Sequence, residues 1–411
     1  MKALAYTSPA RGHLNPMMGP LLELRDRGAE VHVRTLASCV EDVRAAGLEC
    51  EAIDPRIEAI EMDDYLARSQ IKAGERNFGV WAERARLEVD DFRGAVAETK
   101  PDLALVDTTT FGAKAAVEAD ELRWAESRPF LLEDPAPGLP PFGLGLRPKP
   151  GLLGRIRDAA LGMVIERFDA KVRLPTVNAG RETAGLEPLQ DAADARHRAP
   201  LTLYFTAEPF EYRRELPPGV LMVGAATWDP PAELPRSIPE DDRPLVLVAC
   251  SSEFQDDGPI AQAALDGLPD RYRLVITTAG VDPAGLEVRG DAVVERILPH
   301  RPLLERASVV VCHGGMGITQ KALAHGVPVC VVPWARDQLD VAVHAEQAGA
   351  GVVLPRKKLS GERLAEAVMR ARGCAPGAQR VREGYEATGG AVAAADALER
   401  LAREGSVPVA A

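Results

Sequence analysis

The sequence predicts an α/β protein made of two doubly wound domains in tandem. Short apolar runs alternate with helical periodicity from residue 3 to residue 354, as in parallel sheets covered by helices on both faces. The 411 residues are too many for one core, because a domain typically holds about 100–200. The stretch ATWDPPAELPRSIPEDDRP at 226–244 is polar, acidic and proline-punctuated, and it falls where the pattern restarts; an interdomain connection has this composition. The expected organisation is therefore an N-terminal domain over 1–225, a linker over 226–244 and a second domain over 245–385. Residues 386–411 then form a helix and tail expected to return to the first domain, with GSVPVAA at the end frayed.

In chain order, strands are expected at 3–6, 31–35, 103–106 and 129–132. Helices are expected at 16–27, 41–46 and 78–100. The last carries Phe78, Trp81, Ala85, Val89, Phe92 and Val96 three or four apart, an amphipathic spacing. Residues 134–151, DPAPGLPPFGLGLRPKPG, are too rich in proline and glycine for an element and read as a long loop. Strands in the second half are expected at 245–250, 274–277, 292–295, 309–312, 329–332 and 351–354. Helices are expected to begin near Ile318 and to cover 341–347, and Ser360 is expected to cap another.

A net charge of −12 argues against nucleic acid or an anionic membrane as partner, since phosphate binding needs a basic face. No apolar run approaches the roughly 18 residues of a membrane span. The start, MKALAYTSP, enters a strand pattern directly and has no leader-like apolar region, so the expected location is cytoplasmic, as monomer or homodimer. The six cysteines show no CxxC spacing. Cys250, Cys312 and Cys330 fall in strand runs, where a thiol acts as a small hydrophobe. No metal and no cofactor is expected.

The chemistry concentrates in VVVCHGGMGITQKALAHGVPVCVVPWARDQ at 309–338. His313-Gly314-Gly315-Met316-Gly317 follows a strand and opens a helix. Parallel sheets place ligands at the carboxyl ends of their strands. A helix start there offers unpaired N–H groups and a partial positive charge, so a diphosphate is the natural guest. Asp337-Gln338 follows the next strand and suits a polyhydroxyl ligand, although Asp337 is equally placed to cap a helix.

These segments, H-G-G-M-G-I-T, then G-V-P, then P-W-A-R-D-Q, resemble the nucleotide-sugar motif of family 1 glycosyltransferases. Arg11-Gly12-His13-Leu14-Asn15-Pro16 resembles the acceptor-domain signature, so the likeness spans nearly the whole chain. It implies the GT-B fold, two facing Rossmann-like domains with the active site in the cleft between them. Nearest in character are bacterial enzymes that glycosylate macrolides, enediynes and other polyketides. The resemblance implies a diphosphate site at Ser251, Ser252 and His313, Gly314, Gly315, Met316, Gly317. It implies nucleoside contacts at Ile297, Leu298, His300 and Lys321, and sugar contacts at Trp334, Asp337 and Gln338. It further implies His13 as general base and Asp107 as its partner.

The chemistry agrees with that reading, because an alcohol is a poor nucleophile until its proton is leaving and histidine titrates near neutrality. His13 is expected in a loop after the first strand. Asp107 ends the strand at 103–106, which in a 3-2-1-4-5 order is its neighbour at the switch point. Asp107 in Asp107-Thr108-Thr109-Thr110 is also a plausible helix cap. The expected reaction is a single inverting displacement from a nucleotide diphosphate sugar to a hydroxyl of a hydrophobic natural product. Acceptor contacts are expected at Gly12, Phe78, Phe111 and Phe142, with loop 134–151 as a greasy lid or as cover for a satellite core.

Two positions depart from the family pattern. Lys321 stands where UDP-sugar users often carry Glu on the ribose, and a cation accepts no hydrogen bond; a dTDP-activated donor is therefore favoured over a UDP-activated one, with Lys321 otherwise pointing to solvent. Ile297 replaces a stacking Trp, and His300 a common Gln. His197, between Arg196 and Arg198, is expected on a solvated face. The alternatives are C-transfer to an aromatic carbon, a same-fold epimerase or hydrolase, and a non-catalytic auxiliary homologue. An NAD-dependent oxidoreductase needs G-x-G-x-x-G after the first strand, where this chain has Ser8-Pro9-Ala10-Arg11-Gly12-His13.

Overall fold

The computed structural model describes residues 1–230, 233–235, 238 and 241–404; six positions of the expected linker and the segment 405–411 lie outside the described residues. The first sheet comprises β1 (Lys2–Tyr6), β2 (Glu30–Thr35), β3 (Glu49–Ala52), β4 (Leu103–Asp107), β5 (Trp124–Arg128), β6 (Leu201–Tyr204) and β7 (Val220–Met222). The second comprises β8 (Leu245–Ala249), β9 (Arg273–Thr277), β10 (Val293–Glu295), β11 (Ala307–Cys312), β12 (Val329–Val331) and β13 (Gly351–Val353). All pairings are parallel, in the orders β3-β2-β1-β4-β5-β6-β7 and β10-β9-β8-β11-β12-β13. Central strands such as LVLVA of β8 are buried along their whole length, as parallel strands covered on both faces must be. The strand order reverses between β1 and β4 in one sheet and between β8 and β11 in the other, so each domain has its crevice at those carboxyl ends.

Three expected elements need correction. The first helix covers Arg11–Asp26 and encloses both Pro16 and Pro20. Its buried stripe of Leu14, Met17, Met18, Leu21 and Leu24 begins ahead of Pro16, and that burial outweighs the hydrogen bonds the prolines remove. His13 therefore sits in the first helical turn, not in a loop. The strand expected at 129–132 is instead β5, one step earlier. Pro129 cannot donate to a ladder, whereas the buried Glu126 inside β5 is held by Lys114 Nζ at 2.5 Å and Thr108 Oγ1 at 2.8 Å. The helix expected at 78–100 spans Gln70–Thr99, started by Ser69, whose hydroxyl accepts from Lys72 N at 3.3 Å.

The helix Gly390–Glu404 lies on the first sheet. Ala394, Leu398 and Leu401 share a core with Leu14, Met17 and Leu21, and Arg27 pairs with Asp396 at 2.6 Å. All six cysteines are free, five of them buried, which fits the small-hydrophobe role. Among the described residues no helix is long and apolar enough to cross a membrane.

Candidate active site

At the crevice of the first sheet, Tyr6 of β1 lies in register with Val106 of β4, so the segments that follow both strands emerge together. His13 Nδ1 is 2.7 Å from Asp107 Oδ2 and 2.9 Å from Oδ1. Ser8 N and Thr109 Oγ1 each donate to Asp107 Oδ2 at 3.1 Å, and Phe130 packs edge-on to the imidazole at 5.0 Å. Burial alone would depress the His13 imidazole, but the Asp107 carboxylate outweighs it and leaves the ring more basic than an ordinary histidine. Burial would likewise raise the Asp107 carboxyl, and the His13 charge and hydrogen bonds hold it below its usual value instead. With Nδ1 committed to Asp107, Nε2 is the ring nitrogen left to exchange protons with a ligand.

The second crevice carries the glycine turn. The helix Met316–Ala324 starts at Met316, two residues before the expected position, with Gly315 extended at its N-cap. Gly314 has φ +94°, and a Cβ there would stand 2.8 Å from Val331 Cγ1, so only glycine fits. Gly317 faces open space. The first N–H groups of a helix have no intrahelical partner, and Gly315, Met316 and Gly317 at this helix start line the crevice. His313 is buried, its Nδ1 unpartnered among the described residues and 3.8 Å from Asp257 Oδ2, and burial favours its neutral form. Asp257 also accepts from Ser251 N at 2.8 Å, which fixes the Ser251-Ser252 segment beside the turn. Asp337 starts the next helix without capping it by its side chain; burial pushes its carboxyl up to about 6, and Oδ2 has no partner among the described residues.

One cavity of about 1560 Å³ joins the two crevices. Its floor on one side is the His13 helix start, and on the other the His313–Gly317 turn. Phe78, Trp81, Phe111 and Phe168 contribute an aromatic flank, with Phe78 and Trp81 edge-to-face at 5.0 Å.

Comparison with known proteins decides what kind of cleft this is. Residues 274–397 match the model of the erythromycin biosynthesis protein CIII-like C-terminal domain. The chain is 30% identical to 4'-demethylrebeccamycin synthase of Lentzea aerocolonigenes, across 97% of its own length and 99% of the relative's. It belongs to the family 1 glycosyltransferases of GT-B fold. Similar solved structures include the calicheamicin glycosyltransferase CalG4, with TM-score 0.70 and 20% identity over 98% of each chain. Another is the glycosyltransferase VinC in complex with dTDP, with TM-score 0.70 and 19% identity over 98% of this chain and 100% of that one.

The cleft of this glycosyltransferase gathers most of the expected residues: Gly12, His13, Phe78, Phe111 and Phe142 from the first domain, and Ser251, Ser252, Ile297, Leu298, His300, His313, Gly315, Met316, Gly317, Lys321, Asp337 and Gln338 from the second. Asp107 stands behind His13, fully buried. Trp334 does not wall the cleft. Its ring packs on the second-sheet core with Arg356 stacked over it at 3.7 Å, a cation–π contact outside the cavity lining. Gly314 is buried inside the turn and shapes it rather than facing the cavity. Gln338 is nearly enclosed: its Oε1 accepts from Trp334 N and Ala335 N at 2.8 and 2.9 Å, and its Nε2 donates to Gln255 at 2.9 Å.

Lys321 does not point to solvent. It is buried and paired with Asp229 of the linker, whose other oxygen has no partner among the described residues. His300, beside it, lies 3.0 Å from Thr277 Oγ1 and is pushed down to about 4 by burial and by Lys321, so it is neutral. His197 is also not on an open face; its Nε2 meets Asp134 at 2.7 Å at the cavity wall. Sequence reading passed over Arg336, which clasps Asp64 of the first domain through Nε at 2.9 Å and a terminal nitrogen at 2.8 Å and reaches Glu253 at 2.5 Å. The signal available was an arginine directly before Asp337; its partners, 272 and 83 residues away in sequence, carried none.

Proposed function

We propose that this glycosyltransferase moves a sugar from a nucleotide diphosphate sugar, with dTDP preferred over UDP, to a hydroxyl of a hydrophobic natural product in one inverting displacement. The observation that carries the reading is the placement of the His13–Asp107 pair and the His313–Gly317 helix start on opposite sides of one cavity. A ligand pocket usually occupies about 300–1000 Å³, so a volume of about 1560 Å³ suits two co-substrates at once.

In the proposed step the acceptor oxygen attacks the anomeric carbon while its proton passes to His13 Nε2. The bond from that carbon to the diphosphate oxygen breaks, and the leaving charge moves onto the turn. Asp107 holds the tautomer and stabilises the imidazolium. The backbone dipoles at Met316 and Gly317 are in place before the charge develops, which makes a metal unnecessary for this step. Asp337, ionised above pH of about 6, accepts hydroxyl hydrogens of the donor sugar. Lys321 is spent on Asp229 and, as a cation, offers no acceptor to a ribose 2′-hydroxyl, which supports dTDP; the unpartnered Asp229 Oδ2 is the acceptor a UDP donor would have to use.

The test is mass spectrometry after incubation with dTDP- and UDP-sugars and a panel of aromatic and macrolide acceptors. A product heavier by one sugar is expected, with anomeric configuration opposite to the donor's by NMR. Retained configuration would overturn the single displacement, and a carbon-linked sugar would replace O-transfer with C-transfer. Absence of product together with absence of dTDP binding would overturn the reading as a whole.

A further inference from the structure

The loop 134–151 belongs by chain order to the acceptor domain, yet its middle is held by the donor domain. Gly143 N donates to Asp340 Oδ2 at 3.0 Å, and Gly145 N donates to Asp340 Oδ1 at 3.3 Å. Both oxygens of one buried carboxylate are thus used on the half-buried backbone of a distant loop, in hydrogen bonds strengthened by the charge. The fit is close. Gly145 has φ +58°, and a Cβ there would come within 2.5 Å of Leu339 Cβ. Arg147 adds an ion pair to Glu346 at 2.5 Å, further along the helix Gln338–Gln347. Pro140, Pro141 and Phe142 of the same loop line the cavity, and Phe142 packs against the second-sheet core. The first domain holds the loop at its start, where His197 Nε2 meets Asp134 at 2.7 Å, and shares its later part, where Arg157 donates to Arg147 O at 3.1 Å.

Asp340 occupies the turn of helix that begins at Asp337, its N–H bonded to Asp337 O at 2.9 Å. One turn therefore presents a carboxylate to the donor side of the cavity and another to the loop that walls the acceptor side. Building on the proposed function, we propose that Asp340 is a positioning residue that makes this acceptor wall ride on the donor domain, so that nucleotide binding tightens the wall and raises acceptor affinity. The two sites are then coupled through one rigid turn, and coupling of this kind is reciprocal.

Hydrogen exchange of peptides covering 138–147, with and without dTDP, tests the coupling. In the wild-type chain the amides are expected to be protected, and dTDP is expected to slow their exchange further. In Asp340→Ala they exchange fast and no longer respond, and dTDP binds more weakly by the factor by which it slowed exchange in the wild-type chain, because the coupling is reciprocal. With an acceptor that gives product in the panel above, Asp340→Ala raises the acceptor KM at least about tenfold, the worth of one hydrogen bond to a charged group, with kcat little changed; Asp340→Asn, which keeps one acceptor oxygen, falls between. Gly145→Ala breaks the same contact from the loop side and serves if Asp340→Ala does not fold. Unchanged loop exchange in both variants, or a wild-type loop indifferent to bound dTDP, would overturn the inference. Failure of dTDP to bind the wild-type chain would instead sink the functional reading, and the ligand-free exchange comparison would still decide the anchor.

Discussion

His13 and Asp107 are 94 residues apart in sequence, yet Nδ1 of one lies 2.7 Å from Oδ2 of the other. The pairing follows from topology: β1 and β4 are neighbours at the switch point, so the last residue of β4 meets the first turn of the helix that follows β1. His13→Ala is expected to lower kcat by about 100- to 10,000-fold, the usual worth of a general base. The dTDP dissociation constant, measured by calorimetry, is expected to stay unchanged, because the proposed nucleotide site, the His313–Gly317 turn, lies across the cavity. Loss of both together would make His13 a structural residue.

The pair also sets a pH profile. A base must be neutral to act, and Asp107 keeps the His13 value above that of an ordinary histidine. Activity should therefore fall as pH drops through that raised value. Asp107→Asn removes the charge and leaves burial, which favours the neutral ring. The acid limb of kcat against pH should move to lower pH, while the plateau drops about 100-fold as the imidazole loses its orientation. An acid limb that stays in place would separate Asp107 from the base.

Behind Asp107, Glu88 is buried and accepts from Gly112 N at 2.8 Å. Burial pushes its carboxyl up to about 8, from an ordinary 4.5. The folded state thus binds this proton more tightly than the unfolded one, and stability falls as pH rises between those two values. Glu88→Gln keeps the acceptor oxygen and does not titrate. Its melting temperature should exceed that of the wild type at pH of about 8.5 and match it near pH 4.5, within the few degrees that about 1 kcal/mol moves a chain of this size. An equal gain at both values would mean that the proton is not the cause.

The nucleoside side offers a charge-swap test. Lys321→Glu alone would set a carboxylate against Asp229 in a largely buried position and should cost about 3 kcal/mol of stability, because it leaves a buried charge uncompensated. The double variant Asp229→Lys with Lys321→Glu restores opposite charges. It should refold normally and shift the affinity ratio toward UDP by about tenfold, the worth of one hydrogen bond to a charged acceptor. An unchanged ratio would remove Lys321 from donor selection.

The parts legible in the sequence were those written in local patterns. The apolar runs of β8 and β11, the glycines of the 313–317 turn and the apolar face of the helix Gln70–Thr99 each announce themselves within a few residues. The buried Glu126 hid β5, because its partners Lys114 and Thr108 are brought in by tertiary structure. Pro16, which suits a first helical position, hid the true start of the first helix at Arg11, since a proline rule ranks below burial of Leu14. Asp64 with Arg336, Asp229 with Lys321 and Asp340 with the 143–145 backbone are contacts between distant segments, for which hydropathy and spacing hold no information. Trp334 was misplaced for the same reason: the Arg356 that draws its ring away from the cavity arrives from beyond β13.

The most direct test of the two-sided site is a crystal structure of the protein with a bound dTDP-sugar. The diphosphate should lie against the backbone N–H groups of Met316 and Gly317, with the anomeric carbon turned toward His13 across the cavity. A nucleotide seated elsewhere, or an anomeric carbon facing away from His13, would contradict the account.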